Sequence, residues 1–283
     1  MPAAYRQRYV TAQDGLRLYY RDYGDPSSPR LPLICLTGIT RNSTDFADFA
    51  ERHAGERRVL CLDYRGRGRS DYDRDWRNYQ PQVYAGDIVN VIAANDLHRV
   101  VFVGTSLGGL LTMGLAVLKP TLLGAVVLND IGPDVAPAGQ ARILGYIGTD
   151  QPQPDWPSAV AYLRQLMPTL AARSDEGWLK LAQGTFRPGE DGRLHFDWDV
   201  NIAKPLRRPG AVPNLWAYFG ALRRVPVLAL RGALSDVLSA ETFERMAQTK
   251  PDLLRVTVAD TGHTPSLNEA DAAAAVDDFI RRF

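Results

Sequence analysis

The sequence predicts an α/β fold: a doubly wound, mostly parallel eight-stranded sheet with a helical insertion after the sixth strand. Three observations carry that expectation. Continuous apolar runs at 31–38, 58–66, 99–106, 124–130 and 225–232 have the unbroken hydrophobicity of strands buried on both faces. Helix-like stretches at about 43–54, 81–96, 107–118, 239–249 and 269–282 alternate with them. Finally, from about 133 to 222 no strong strand run occurs, and Pro, Gly and aromatic residues are frequent. A bare loop of that length is foreign to a compact domain, so it reads as a largely helical insertion packed on the sheet.

Taken in order, "YRQRYVTAQ" and "LRLYYRDYG" alternate enough for two antiparallel strands joined at Asp14-Gly15. The five apolar runs supply the inner strands, and "VTVAD" (256–260) supplies the last. Within the insertion stand four of the five tryptophans, Trp156, Trp178, Trp198 and Trp216.

Composition bounds the function classes. The 283 residues carry 33 basic and 32 acidic side chains, a net charge of +1, so no general attraction to nucleic acid or anionic membrane is implied. The Arg-rich stretch "DYRGRGRSDYDRDWR" is interleaved with acids and reads as a solvated loop. The opening residues lack the apolar core of a signal peptide, and no run approaches a membrane span. Cys35 and Cys61, the two cysteines, lie in strand-like runs and are expected as buried thiols. A cytoplasmic protein acting on a small molecule fits these features.

Functional groups of a parallel sheet gather at the carboxyl ends of its strands. In "VFVGTSLGGL" an apolar strand ends at Ser106, bracketed by Gly104 and Gly108, and helix-like sequence follows at once. G-x-S-x-G in that context is the turn that presents a nucleophile. A serine hydroxyl needs a base. Of the four histidines, His53 and His98 stand away from the carboxyl edge, and His195 belongs to the insertion as a structural or pocket-wall residue. His263, between the last strand and the final helix, is the expected base. The imidazole needs an acid partner. Asp236, after the strand "VPVLALRG", gives the order Ser–Asp–His expected of this architecture and is preferred. Asp130, after the strand that follows the nucleophile, is the alternative. Asp63 is expected to shape its own loop. The oxyanion-hole donors should be the backbone N–H groups of Leu107 and of Ile39, in the turn "TGIT".

Together "LTGITRNSTDF", "LDYRGRGRSD", "VGTSLGG", "LNDIGP", "LRGALSD" and "DTGHTPSL" resemble the α/β-hydrolase fold superfamily over almost the whole chain. The resemblance implies a serine hydrolase whose core is 1–132 and 223–283, with 133–222 as a helical cap over the active site. Thr37-Gly38 stands where many relatives have His-Gly; the hole needs backbone N–H groups rather than that side chain. Ser106 argues against the relatives that use an Asp nucleophile, the epoxide hydrolases and haloalkane dehalogenases. The expected reaction is cleavage of a small ester, lactone or thioester through an acyl-enzyme. The alternatives are a C–C bond hydrolase of ring-fission products and a non-catalytic ligand-binding protein on the same scaffold. Arg41, Trp156, Trp178 and Trp216 are the candidate substrate-binding residues. No cofactor and no metal is expected, and the sequence leaves the oligomeric state open.

Overall fold

The computed structural model describes residues 5–170, 174–207 and 214–283. Eight strands form one sheet: β1 (Arg6–Thr11), β2 (Arg17–Tyr23), β3 (Leu33–Leu36), β4 (Val59–Leu62), β5 (Val100–Thr105), β6 (Leu123–Asn129), and then β9 (Val227–Gly232) and β10 (Leu254–Val258). A separate pair, β7 (Phe186–Pro188) and β8 (Leu194–Phe196), lies between β6 and β9 in the chain. The sheet order is β1-β2-β4-β3-β5-β6-β9-β10. The β1–β2 and β2–β4 pairings are antiparallel, and every other pairing in this sheet is parallel.

The apolar runs behave as double-faced strands. Every residue of β3, β4 and β6 is buried. Strand alternation divides them between two cores. Leu33, Cys35, Val59, Cys61, Val101 and Val103 face one side, where Phe49 of α1 (Ala47–His53) and Val276 and Phe279 of α10 (Ala270–Ile280) pack. Ile34, Leu36, Leu60, Leu62 and Phe102 face the other, against Ile88 and Val91 of α2 (Pro81–Ala94) and Leu111 and Leu115 of α3 (Leu107–Leu118). Cys35 and Cys61 are paired neighbours on β3 and β4, both buried and both free thiols. Helix α9 (Ala240–Thr249) adds Phe243 and Met246 to the second core.

Between β6 and β9 the chain forms α4 (Pro137–Tyr146), α5 (Trp156–Leu166), α6 (Asp175–Gln183), the β7–β8 hairpin, α7 (Ala203–Leu206) and α8 (Leu215–Gly220). This segment is mainly helical, as expected, but the hairpin escapes the sequence pattern because each strand is only 3 residues long. No helix among the described residues is long and apolar enough to cross a membrane.

The Arg-rich stretch departs from expectation. It is not a solvated loop throughout: Arg65 and Arg67 are 1% and 0% exposed. Arg65 is held by Asp14, Asp73 and Asp87 at 2.6–2.7 Å. Arg67 donates from Nε to the Ile39 carbonyl at 2.8 Å and from Nη1 to the Tyr84 hydroxyl at 2.7 Å. Asp63 shapes this loop, as anticipated, accepting from the Ser43 and Arg69 N–H groups. Gly68, at φ +55°, sits so close that a Cβ would lie 2.2 Å from the Asp63 carboxylate.

The order of the strands fixes where a ligand can sit. From β3 the chain moves to β4 on one side, and then returns to β5 on the other side of β3. The connections leaving β3 and β5 diverge, opening a crevice at the carboxyl ends of these two strands.

Candidate active site

Ser106 stands at that crevice, between the end of β5 and the first turn of α3. Its backbone has φ 51° and ψ −115°, a conformation that side chains rarely adopt. The flanking glycines are explained by contact. A Cβ on Gly104 would meet the Gly108 backbone at 2.6 Å, and one on Gly108 would meet the Leu36 carbonyl oxygen at 2.1 Å. The spacing G-x-S-x-G therefore lets α3 approach both β5 and β3 while the serine is held at the apex.

His263 follows β10, and its Nε2 lies 3.0 Å from Ser106 Oγ. Its Nδ1 is 2.7 Å from Asp130 Oδ2. Asp130, just after β6, is fully buried and has φ 54°. The Gly232 N–H donates to its Oδ1 at 2.8 Å and the Ser235 hydroxyl to its Oδ2 at 2.6 Å. A buried carboxylate with this many donors is fixed in orientation as well as solvated by the protein.

The preferred sequence assignment of the acid is thereby corrected. Asp236 does not meet His263; its two oxygens accept from Arg142 Nε at 2.6 Å and Nη2 at 2.9 Å. The Arg142 guanidinium holds this carboxyl below its usual range, against the opposing effect of burial. The physical reason lies in the loop: Ser235, not Asp236, turns toward β6, and there it supports Asp130.

The other histidines play no part here. His53 is buried at the end of α1 near Asp277, and His98 is exposed beside Asp96. His195 is bracketed by Asp150 at 2.6 Å and Asp191 at 2.9 Å, a structural position that raises its pKa.

Of the two expected oxyanion donors, Ile39 lines the cavity and Leu107 directly follows Ser106. Gly38 lies against Ser106, with only 3.8 Å between its would-be Cβ and the serine Cβ. The following Ile39 has its carbonyl fixed by buried Arg67, which sets the plane of the Ile39–Thr40 peptide. Thr37, in place of the His of many relatives, donates its hydroxyl to the Arg41 carbonyl at 3.2 Å, closing the turn. Leu107 is the first residue of α3, where an N–H has no intrahelical acceptor and the helix dipole favours negative charge.

Arg67 was not foreseen, because an arginine in a charged stretch gives no sign of burial. Asn129 was missed as well. Its side-chain amide donates to Thr105 Oγ1 at 3.1 Å and to the Pro265 carbonyl at 2.9 Å, and its own carbonyl accepts from the Ser106 N–H. It thus ties the serine turn to the loop that carries His263.

A cavity of about 650 Å³ opens over Ser106 and His263. Arg41 lines it, with Arg142, Ile143 and Tyr146 of α4 and with Met167, Leu170 and Leu181. The three candidate tryptophans do not. Trp178 is 2% exposed in the core, Trp156 packs against that core, and Trp216 donates to Asp134 at 2.8 Å beneath the Arg245 guanidinium. Their large apolar area is used to join the helices rather than to meet a ligand. No group of three or more His, Cys, Asp or Glu among the described residues could hold a metal.

The chain belongs to the alpha/beta hydrolase family: residues 33–277 match its family model, the fold above is that of the family, and the protein is a hydrolase enzyme. It is 35% identical, over 93% of this chain and 92% of the relative, to the 3-hydroxybutyrate-oligomer hydrolase of Cupriavidus necator. It is 27% identical to the 2-(acetamidomethylene)succinate hydrolase of Mesorhizobium japonicum, over 82% of this chain and 81% of that one. Among solved structures, an alpha/beta hydrolase from Novosphingobium aromaticivorans superposes with a TM-score of 0.93 at 44% identity, covering 99% of both chains.

Proposed function

We propose that the protein is a serine esterase that cleaves short ester-linked hydroxyacids, with Ser106 as nucleophile, His263 as base and Asp130 as its acid partner. The observation that carries this reading is the continuous relay from Ser106 Oγ to His263 Nε2 (3.0 Å) and from Nδ1 to Asp130 (2.7 Å). In the first half-reaction His263 takes the serine proton as Oγ attacks the ester carbonyl. The tetrahedral oxyanion is stabilised by the N–H groups of Ile39 and Leu107. As the C–O bond breaks, the leaving alcohol takes the proton from His263, leaving an acyl-enzyme. Water, deprotonated by the same imidazole, releases the acid and restores Ser106. Asp130 fixes the tautomer that directs Nε2 at Ser106 and stabilises the imidazolium. The segment 133–222 acts as the cap: Arg142, Ile143, Tyr146, Met167 and Leu170 belong to it and face the cavity.

The substrate class follows from the similarity, nearly end to end, to a hydrolase of 3-hydroxybutyrate oligomers. Incubation with the linear 3-hydroxybutyrate dimer tests it. The expected product is two equivalents of 3-hydroxybutyrate by chromatography, with release abolished in Ser106→Ala. No release by wild-type protein that hydrolyses other short esters would remove this substrate class.

A further inference from the structure

Arg142 is placed for more than an ion pair. It lines the cavity that contains Ser106 and His263. Only its Nε and Nη2 are engaged, both by Asp236, and Nη1 has no hydrogen bond among the described residues. A guanidinium has five N–H donors, so several remain available to a second planar acceptor on the open side.

The ion pair is also unnecessary as a fastening. Helix α4 is already docked on the 236–237 loop by its backbone, through Ala136 N–H to the Val237 carbonyl at 2.9 Å and Gly139 N–H to the Asp236 carbonyl at 3.0 Å. Gly139 fits so closely that a Cβ would lie 2.5 Å from that same carbonyl oxygen. Asp236 therefore acts on Arg142 as an aiming partner, holding one edge of the guanidinium of a side chain that lines the cavity.

Strand order gives the direction. Relative to β5, which carries Ser106, the Ile39 turn lies on the β3 side, whereas Asp130, Asp236 and His263 follow β6, β9 and β10 on the other. With the oxyanion hole and base proposed above, the ester's carbonyl oxygen would point toward β3 and its leaving oxygen toward His263, which protonates it. Arg142, anchored at Asp236, stands on the leaving-group side. Arg41 is the contrasting cation: it lies on the β3 side, and each of its three nitrogens already donates, to Asp45 or Thr185. The cavity wall there carries Asp45, Asp48 and Glu51 against Arg41 and Lys180, a net negative charge that disfavours an anion.

We propose that Arg142 binds a free carboxylate on the leaving-group half of the substrate, so that the enzyme selects esters whose alcohol portion is itself an acid. The proposal rests on the reading of Ser106 as the nucleophile. Arg142 takes no part in bond making; it is a specificity residue.

The test compares two single esters, 3-(butanoyloxy)butanoate and its uncharged primary amide, each releasing butyrate. Wild-type kcat/KM is expected to favour the acid by about tenfold to a hundredfold, the range of a charge-assisted hydrogen-bonded contact. In Arg142→Met the acid-to-amide ratio should collapse toward one, chiefly through a raised KM for the acid. Arg142→Lys, which keeps the charge, should recover part of the ratio. A wild-type ratio near one, or a loss in Arg142→Met that is equal for both esters, would overturn the proposal. Turnover of neither ester by protein whose Ser106 still reacts with a fluorophosphonate overturns this proposal alone. Failure of Ser106 to react removes the underlying reading as well.

Discussion

Asp130 gathers the Gly232 N–H, the Ser235 hydroxyl and the His263 imidazole around one buried carboxylate. Asp236, after the neighbouring strand, is spent on Arg142. Both aspartates precede His263 in the chain and follow adjacent strands, so sequence order is satisfied by either. What separates them is backbone direction. The positive φ of Asp130 turns its side chain under the imidazole, and sequence does not announce a positive φ at a non-glycine residue. Ser106 and His263 were legible for the opposite reason: glycine spacing marks the one, and elimination among four histidines leaves the other. Arg67 was misread, and the tryptophans stayed ambiguous between packing and ligand contact, because residue type tells little about burial when a charge is fully paired or an aromatic ring serves packing. The assignment predicts that Asp130→Asn lowers kcat on an uncharged short ester by about 10³–10⁴-fold, as loss of a relay acid does elsewhere. Asp236→Asn should stay within about tenfold of wild type. Steady-state rates for the two variants check this, and the reverse ranking would return the acid role to Asp236.

At the scale of elements, the strands and helices of the core stand close to their expected bounds, because long apolar runs and helical periodicity are strong signals. The β7–β8 hairpin was not legible; it is held by its surroundings rather than by its own pattern. One of those surroundings is testable. Asp197, just after β8, accepts from Asn42 Nδ2 at 3.0 Å, and so links the hairpin to the loop that follows the Ile39 turn. Burial, with the nearby charge of Asp63, pushes its pKa up to about 6. An unfolded aspartate titrates near about 3.9. The folded state therefore binds this proton more tightly than the unfolded state does. Its stabilising contribution is full below pH about 4 and is lost as pH rises through about 6. Above that, the folded protein carries a partly buried charge at a cost, offset in part by Arg187 at 3.8 Å. Asp197→Asn is expected to raise Tm by a few degrees at pH 7.5 and to give no gain near pH 4. Thermal unfolding followed by circular dichroism at the two pH values measures this. An equal gain at both would show that the ionisation of Asp197 is not the source.

For the whole molecule, one sheet order explains the placement of every group in the site. The reversal between β3 and β5 opens the crevice, β3 delivers the Ile39 turn, β5 delivers Ser106, and β6 and β10 deliver Asp130 and His263. Of the segment between β6 and β9, α4 brings Arg142 and Tyr146 to the cavity. This architecture was readable from alternating strands and helices. Which faces of the cap meet the ligand was not, because its helices are apolar on the sides that join each other as well as on those that line the cavity. The account's central claim is that Ser106 is an activated nucleophile driven by His263 and Asp130. The most direct measurement is the rate of covalent reaction with a fluorophosphonate, with the adduct located by mass spectrometry. The account predicts a single adduct on Ser106, forming at least about a thousandfold more slowly in His263→Ala and Asp130→Asn. An adduct on another residue, or labelling of Ser106 that is indifferent to both substitutions, would contradict it.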